Sequence, residues 1–294
     1  MEDAQGWKTL GRMVYIETMF RSFSAFGVVV FASLMVSCQT FPQGDRPEDL
    51  ETRDSDRPAA VELLSYVHMG MSAWREFDSW QDTGWELDHF RHDPTNTMGV
   101  AIRLDDTLHF AFRGTQAPEN AIDRKLNFQF RAVRIPFVDD RSMKAHRGIL
   151  SKYLGVRDAV HARVRETTAQ EIKLVGHSAG GAVAVLALLD LGQTYPDRSF
   201  RVVTFGSPRV LNRPAARALD AYNDRIVRVV AGRDIIPNVP PAVFNFRHVG
   251  RLVRIGDRPV FRIFSVEDHW PAYRNVLREL VAELGHDRNT LGFW

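Results

Sequence analysis

The sequence predicts an α/β fold with a mostly parallel central sheet and helices on both of its faces. The first observation is a set of short runs rich in Val and Ile, such as "EIKLVG", "FRVVTF" and "RIVRVVA". The second is that longer segments with helical spacing, "HRGILSKYLGVRDAVHARVRE" and "GAVAVLALLDLG", alternate with these runs. Strands that alternate with helices form βαβ units and hence a covered parallel sheet. The third is length, because 294 residues suffice for one domain of this class.

The remaining segments are assigned in chain order. The stretch "AAVELLSYVHMGMSAW" has helical spacing and opens the folded part. "MGVAIRLDDTLHFAFRGT" predicts a hairpin that turns at Asp105 and Asp106. We expect "NRPAARALDAY" to be a helix, "HVGRLVRIGDRPVFRIFS" to be an antiparallel pair of strands, and "WPAYRNVLRELVAELG" to be the last helix.

The N-terminal part has the pattern of an export signal. Residues 26–36 are apolar, but they are too few to span a bilayer as a helix. Ser37 followed by Cys38, the single cysteine, resembles a bacterial lipoprotein signal, in which the cysteine thiol becomes lipidated. The alternatives are an uncleaved anchor or a buried first helix. We expect a signal region at residues 1–37 with translation starting at Met19, and a protein anchored through Cys38 to a membrane of the bacterial cell envelope. The outer membrane, on its periplasmic side or at its surface, is the preferred location.

The residues after Cys38 are expected to form a disordered tether over residues 38–57. Nine of the thirteen residues from 45 to 57 are charged, and almost none is apolar. We expect the folded domain to cover residues 58–294.

Composition and charge exclude several classes of protein. A content of 45% hydrophobic and 25% charged residues is that of a soluble globular protein, and not of a disordered or multi-span membrane protein. The net charge is only +2, but residues 201–258 hold eleven Arg and no Lys against four Asp. This segment either attracts anionic lipid head groups or is a solvated surface. No run interleaves bases with aromatics, so we expect no nucleic-acid partner.

The stretch "LVGHSAGGAVA" contains a possible nucleophile at Ser178. Gly176 and Gly180 flank the serine in a G-x-S-x-G pattern between an apolar run and a small-residue helix. A strand-to-helix turn of this kind exposes the hydroxyl and leaves no space for side chains at the flanking positions. The alternative is a glycine-rich turn with a buried, satisfied serine.

A serine nucleophile needs a base and a carboxylate, which follow it in the order Ser, Asp or Glu, His. Asp234 is the preferred acid because it ends a strand and precedes the rigid loop "IIPNVPP"; it could also simply cap its own turn. His269 is the preferred base because it lies in a loop before the last helix. The sequence leaves other acids and bases open, namely Asp190, Asp220, Asp224, His248 and His286.

An oxyanion also needs donors. We expect the backbone N–H of Ala179, the residue after the serine, to be one of them. Thr115, at the end of "FAFRGT", is the second candidate, although it could be an ordinary turn residue. The only close His pair, His89 and His92, has no further ligands around it, so no metal site is expected.

Several stretches in this order resemble the class 3 lipases, the fungal-lipase-like branch of the α/β-hydrolases. They are "FAFRGT", "HRGIL", "LVGHSAGGAVA", "VVTFGSPRV", "RVVAGRDIIPNVPP", "FRHVG" and "DHWPAYRNVL". The resemblance implies a triad of Ser178, Asp234 and His269, with Thr115 and Ala179 at the oxyanion hole. It also implies ester hydrolysis through an acyl-enzyme without metal or cofactor, and a lid or a core edge at residues 116–145.

The substrate stays open at this point. The leading expectation is a membrane-tethered enzyme for acyl esters of glycerides or phospholipids, in which the anchor holds the active site at a lipid surface. The nearest alternative is an esterase for short-chain or aromatic acyl esters. A third interpretation, from a different class, is an anchored binding protein with a lapsed site. The oligomeric state is not predicted.

Overall fold

The structure is a computed structural model that describes residues 87–115, 120–232 and 234–255, together with His269, Tyr273 and Asn275. The expected signal region, Met19, Cys38, the tether and the boundary at residue 58 lie outside the described residues. The same holds for the first expected helix and for most of the last one.

The central sheet of the described residues contains seven strands. These are β1 (Leu87–His92), β2 (Thr97–Leu104), β3 (Thr107–Phe112), β6 (Glu171–His177), β7 (Ser199–Phe205), β9 (Ile226–Ala231) and β11 (Arg251–Ile255), and they lie side by side in this order. The first three strands form antiparallel pairs, whereas β3, β6, β7, β9 and β11 pair in parallel. The expected mostly parallel sheet is therefore confirmed.

Four helices and a smaller sheet complete the described part of the chain. The helices are α1 (Ala121–Asn127), α2 (Arg147–Glu166), α3 (Ala179–Thr194) and α4 (Arg213–Arg217). The smaller sheet is antiparallel in the order β10, β8, β5, β4, with β4 at Ala132–Arg134, β5 at Lys144–His146, β8 at Leu211–Asn212 and β10 at Phe246–Arg247.

Helix α3 is the central helix of the fold. Every residue from Ala179 to Leu191 is buried, as expected for a helix that is apolar on all sides. It packs on β6 and β7 and against α2, whose apolar side chains Ile149, Tyr153, Val156, Val160 and Val164 are buried at the predicted helical spacing. This packing fixes the turn between β6 and α3, where Ser178 lies.

Some local expectations were wrong in detail. The segment predicted as one helix, "NRPAARALDAY", forms the short α4 and then a separate 3₁₀ helix at Asp220–Arg225. His248 does not begin a strand, because β11 starts at Arg251. This strand pairs in parallel with β9, and the second strand of the predicted antiparallel pair lies outside the described residues.

The region expected to be a lid or a core edge contains both kinds of surface. Ile135 is fully buried in the core, whereas Phe128, the C-cap of α1, is 42% exposed. In the part of the chain that the structure describes, no helix has the length and apolar character that crossing a membrane requires.

Candidate active site

Ser178 occupies a sharp turn between β6 and α3. Its backbone has φ 56° and ψ −129°, a conformation that residues with a side chain rarely adopt. Its N–H donates to the carbonyl of Phe205 at 2.8 Å, which fixes the turn against the end of β7. The side chain makes no capping hydrogen bond to α3, and the residue is 8% exposed. The hydroxyl is therefore held in a strained turn at the N-terminus of a buried helix.

The glycines around Ser178 are required by close backbone approaches. A Cβ atom on Gly176 would overlap the backbone of Gly180, and one on Gly180 would overlap the carbonyl oxygen of Phe112. A Cβ atom on Gly114, just after β3, would lie 3.3 Å from the Cβ of Ser178. These contacts bring the end of β3 directly against the serine.

Asp234 lies after β9 and is fully buried, with 0% of its side chain exposed. One carboxylate oxygen, Oδ1, accepts the N–H of Ile236 at 2.9 Å and so holds the loop that follows. The other, Oδ2, accepts hydrogen bonds from His269 and Tyr273. A buried carboxylate needs such donors, because an unpaired charge is costly away from water.

His269 places its imidazole against Asp234. Its Nδ1 lies 2.7 Å from Oδ2 of Asp234, and because a carboxylate only accepts, Nδ1 carries the proton. Its Nε2 is buried and has no hydrogen-bond partner among the described residues. A Cβ atom on Gly206, which follows β7 with φ +59°, would lie 2.8 Å from Cε1 of His269. The structure thus places the ring over the end of β7, and the N–H of Ser178 is bonded to the last residue of the same strand, Phe205.

The other candidate acids lie elsewhere. The carboxylate of Asp190 binds Tyr153 at 2.6 Å and His161 at 3.0 Å, in a buried network between α2 and α3. Asp220 and Asp224 lie on the exposed 3₁₀ helix.

Of the other candidate bases, the structure describes His248, which is bonded to a different group. His248 points its Nε2 at the carbonyl of Pro237 at 2.7 Å, and burial lowers its pKa far below the usual value. Its ring therefore supports the loop after Asp234. His286 lies outside the described residues.

His177, inside the "GHSAG" motif, contributes to the site in a way that the sequence interpretation missed. Its Nε2 lies 2.7 Å from the backbone carbonyl of His269, and the two rings lie 4.5 Å apart. Burial, reinforced by the nearby His269, lowers the pKa of His177 far below its usual value. The neutral ring therefore donates to that carbonyl and ties His269 to the serine turn.

Tyr273 is the second residue that was missed. Its hydroxyl donates to Oδ2 of Asp234 at 2.5 Å, and burial, reinforced by the charge of Asp234, raises its pKa far above the usual value. Tyr273 therefore stays protonated and remains a donor. The spacing of four residues from His269 could have indicated it, because residues i and i+4 share one helix face.

The two expected oxyanion donors lie close to the serine. Ala179 is the first residue of α3, where backbone N–H groups have no intrahelical partner. Thr115 follows Gly114 and is half-buried, and its Oγ1 accepts a hydrogen bond from Nδ2 of Asn127 at 2.7 Å.

The loop after Asp234 is fixed by Arg209 and ends on apolar surface. The guanidinium of Arg209 donates to the carbonyls of Asn238 and Pro240, the latter at 3.0 Å. Arg209 is one of the eleven arginines that give residues 201–258 their positive charge. Its guanidinium holds this loop in place and does not form part of an exposed basic face. Val243 and Phe244, which follow, are 73% and 51% exposed.

Comparison with known proteins finds similarity to one family of lipases. A model of the family described as "Lipase (class 3)" matches residues 109–244. The "Lipase" of Rhizopus niveus is 34% identical over 181 residues, which cover 58% of this chain and 45% of the relative. The chain thus spans a little less than half the length of this curated relative.

Solved structures agree with the sequence comparison. A lipase from Rhizopus microsporus var. chinensis is 25% identical with a TM-score of 0.63, covering 80% of this chain and 95% of that one. A triacylglycerol lipase whose catalytic centre is described as a serine protease triad is also 25% identical, with a TM-score of 0.58, covering 70% of this chain and 82% of that one. Residues 109–244 therefore match the class 3 lipase family, and the fold is that of the α/β-hydrolases.

Proposed function

We propose that this protein is a serine hydrolase that cleaves carboxylic acyl esters of lipids through an acyl-enzyme. In this proposal Ser178 is the nucleophile, His269 the general base and Asp234 the carboxylate that orients it. The observation that carries the proposal is the 2.7 Å bond between Nδ1 of His269 and Asp234, next to a serine in a strained, glycine-flanked turn. This is the arrangement in which an imidazole can remove a proton from a serine hydroxyl.

The first half of the reaction forms the acyl-enzyme. Oγ of Ser178 attacks the ester carbonyl carbon while its proton moves to Nε2 of His269, and the carbonyl oxygen becomes negatively charged. Asp234 stabilises the resulting imidazolium and holds its tautomer. The C–O bond to the alcohol then breaks, and His269 returns the proton to the departing alcohol oxygen.

The second half releases the acid. A water molecule gives a proton to Nε2 of His269 and adds to the acyl carbonyl, and the proton then returns to Oγ of Ser178 as the ester bond breaks. Ala179 N–H and Thr115 are the proposed donors to the oxyanion in both halves. Such donors stabilise the charge only as it develops, and so they lower the barrier.

The names of the relatives support a lipid substrate. Those described above are called lipases, one of them a triacylglycerol lipase. The exposed apolar side chains Phe128, Val243 and Phe244 agree with a substrate that carries a long acyl chain.

The first experiment measures hydrolysis of nitrophenyl esters with acyl groups from acetyl to palmitoyl, with Ser178→Ala as the control. A rate that peaks at long chains and disappears in the control supports the proposal. A peak at acetyl or butyryl, or on aromatic acyl groups, would assign an esterase for small acids instead. Absence of any serine-dependent hydrolysis together with no labelling by a fluorophosphonate would leave a binding protein.

We also propose that the enzyme is a lipoprotein of the bacterial cell envelope, anchored through Cys38. The support is the sequence pattern alone, an apolar run followed by Ser37 and Cys38. Metabolic labelling with a fatty acid should mark the wild-type protein and not a Cys38→Ser variant. Label that survives the substitution would contradict the anchor and leave the hydrolase proposal unchanged.

A further inference from the structure

Asn127, the last residue of α1, contacts a proposed oxyanion donor. Its Nδ2 donates to Oγ1 of Thr115 at 2.7 Å. A threonine hydroxyl has one proton and two lone pairs, and an amide NH₂ group can only donate. The bond therefore occupies a lone pair of Thr115 and leaves its proton to point elsewhere. Gly114, the residue before Thr115, lies directly against Ser178.

The backbone of Asn127 is held in place by His146. Nδ1 of His146 accepts the N–H of Ile149 at 3.4 Å, and Nε2 lies 3.2 Å from the carbonyl of Asn127. Burial lowers the pKa of His146 to about 4, so the ring is neutral at neutral pH. With Nδ1 accepting, Nε2 carries the proton and donates to Asn127. The rings of Phe130 and Phe246 pack against this ring, with centroid distances of 5.6 and 6.2 Å.

The beginning of α1 is fixed as well. Asp123 is fully buried and forms an ion pair with the buried Lys152 of α2, and its second oxygen accepts Nδ2 of Asn96 at 3.0 Å. Nζ of Lys152 also donates to the carbonyl of Thr95 at 3.1 Å. The side chain of Asn120 caps the helix by accepting the N–H of Ile122 and Asp123. Both ends of α1 are thus bonded to the body of the fold.

We propose that Asn127 is a positioning residue that keeps the Thr115 hydroxyl oriented as a donor to the oxyanion. This inference rests on the proposed function, because it needs a tetrahedral intermediate at Ser178. Its physical content is preorganisation: a hydroxyl that is already turned toward the developing charge does not have to reorient during the reaction. Helix α1 therefore helps to hold the catalytic site, through the bond from Asn127 to Thr115. The sequence around this helix has no clear pattern that would have indicated this role.

The test is a double-mutant cycle of Asn127 and Thr115, with kcat and KM measured on a soluble nitrophenyl ester. Thr115→Val should lower kcat roughly a hundred-fold. Asn127→Ala should lower kcat about ten-fold and leave KM within about two-fold, because only the transition state uses the donor. In the double variant, Asn127→Ala should not lower kcat further, since the Thr115 hydroxyl that Asn127 positions is already removed.

Asn127→Asp is the sharper variant. It keeps the size of the side chain, but a carboxylate can only accept, so it takes the Thr115 proton away from the oxyanion. We expect it to lower kcat more than Asn127→Ala does. It also provides the test if the alanine variant does not fold. The control is Asn223→Ala, which removes a side chain that accepts the N–H of Gly250 at 2.9 Å, far along the chain, and should leave kcat unchanged.

The possible outcomes distinguish a failure of the role of Asn127 from a failure of the proposed serine-hydrolase function. Serine-dependent hydrolysis with full kcat in Asn127→Asp, or losses that simply add in the double variant, would overturn the role of Asn127 and leave the hydrolase intact. A wild-type protein without Ser178-dependent hydrolysis would overturn both. A fall in kcat for both Asn127 variants that disappears in the Thr115→Val background supports the inference.

Discussion

The two halves of the candidate active site are positioned by different means. Ser178 is held by backbone: a turn with positive φ, a hydrogen bond from its N–H to Phe205, and glycines whose absent side chains allow the approach. Asp234 and His269 are held by side-chain hydrogen bonds, including one from His177 to a residue 92 positions away. The serine half is therefore held by backbone geometry, whereas the acid and base half can be weakened one hydrogen bond at a time.

The largest effect is expected for Ser178→Gly, which tests the backbone half. Hydrolysis should fall by about a million-fold, as for removal of a catalytic serine. Stability should rise by about 1 kcal/mol, because glycine adopts φ 56° without steric cost and the serine side chain makes no capping bond. Ester hydrolysis and urea unfolding measure the two changes.

The control for this variant is Ser151→Gly in α2. It places glycine in a regular helix and should reduce stability by about 0.5 to 1 kcal/mol. A Ser178→Gly protein less stable than the wild type would show that the turn stores no strain.

The next effect is expected for Asp234→Asn, in the side-chain half. An amide at this position can donate to Nδ1 of His269 and so hold the ring in the wrong tautomer, which should lower kcat by about 10⁴-fold. Tyr273→Phe is the matched control, since it removes the other donor to the same oxygen and leaves the bond to His269. It should cost only a few-fold in kcat. Equal losses in the two variants would mean that the tautomer of His269 is not what the carboxylate controls.

The difference between the halves explains what the sequence could predict. The parallel sheet, α2 and α3 were predictable because they depend on apolar periodicity, and the turn at Ser178 because its glycines lie two residues away on each side. Asp234 and His269 could be chosen by chain order, and the structure brings these two together. His177, Tyr273 and Asn127 could not be assigned roles, because their partners are set by tertiary contacts.

A smaller effect is expected for His177→Phe. Phenylalanine keeps a ring beside His269 but loses the donor to its carbonyl, so the imidazole should lose part of its alignment. We expect kcat to fall ten- to a hundred-fold with KM little changed, since small displacements of a catalytic group have costs of this size. His177→Asn, which restores an N–H donor, should recover part of the rate.

His161→Phe is the control for a lost buried imidazole. His161 binds Asp190 and Tyr195 away from the serine, so this variant should lower stability and leave kcat close to that of the wild type. A His177→Phe protein that behaves in the same way would reduce His177 to a structural residue.

Acid is expected to lower stability and not to act on the chemical step itself. Burial lowers the pKa of His146 to about 4 and those of His177 and His248 far below the usual value. Below pH 6.5 these histidines therefore bind protons in the unfolded chain but stay neutral in the folded one. The stability that is present above this pH is lost as the pH falls. For His146 the loss should continue to about pH 4 and amount to about 3 kcal/mol.

Urea unfolding between pH 7.5 and 4.5 measures this slope, which should be shallower in His146→Gln. An unchanged slope would mean that the folded protein protonates His146 as readily as the unfolded chain does. Because His177 and His248 both support the side-chain half, whereas the turn at Ser178 depends on backbone alone, acid should weaken the placement of Asp234 and His269 before it opens the turn. Amide hydrogen exchange should then rise at Ile236, whose N–H is bonded to Asp234, at a higher pH than at Ser178, whose N–H is bonded to Phe205.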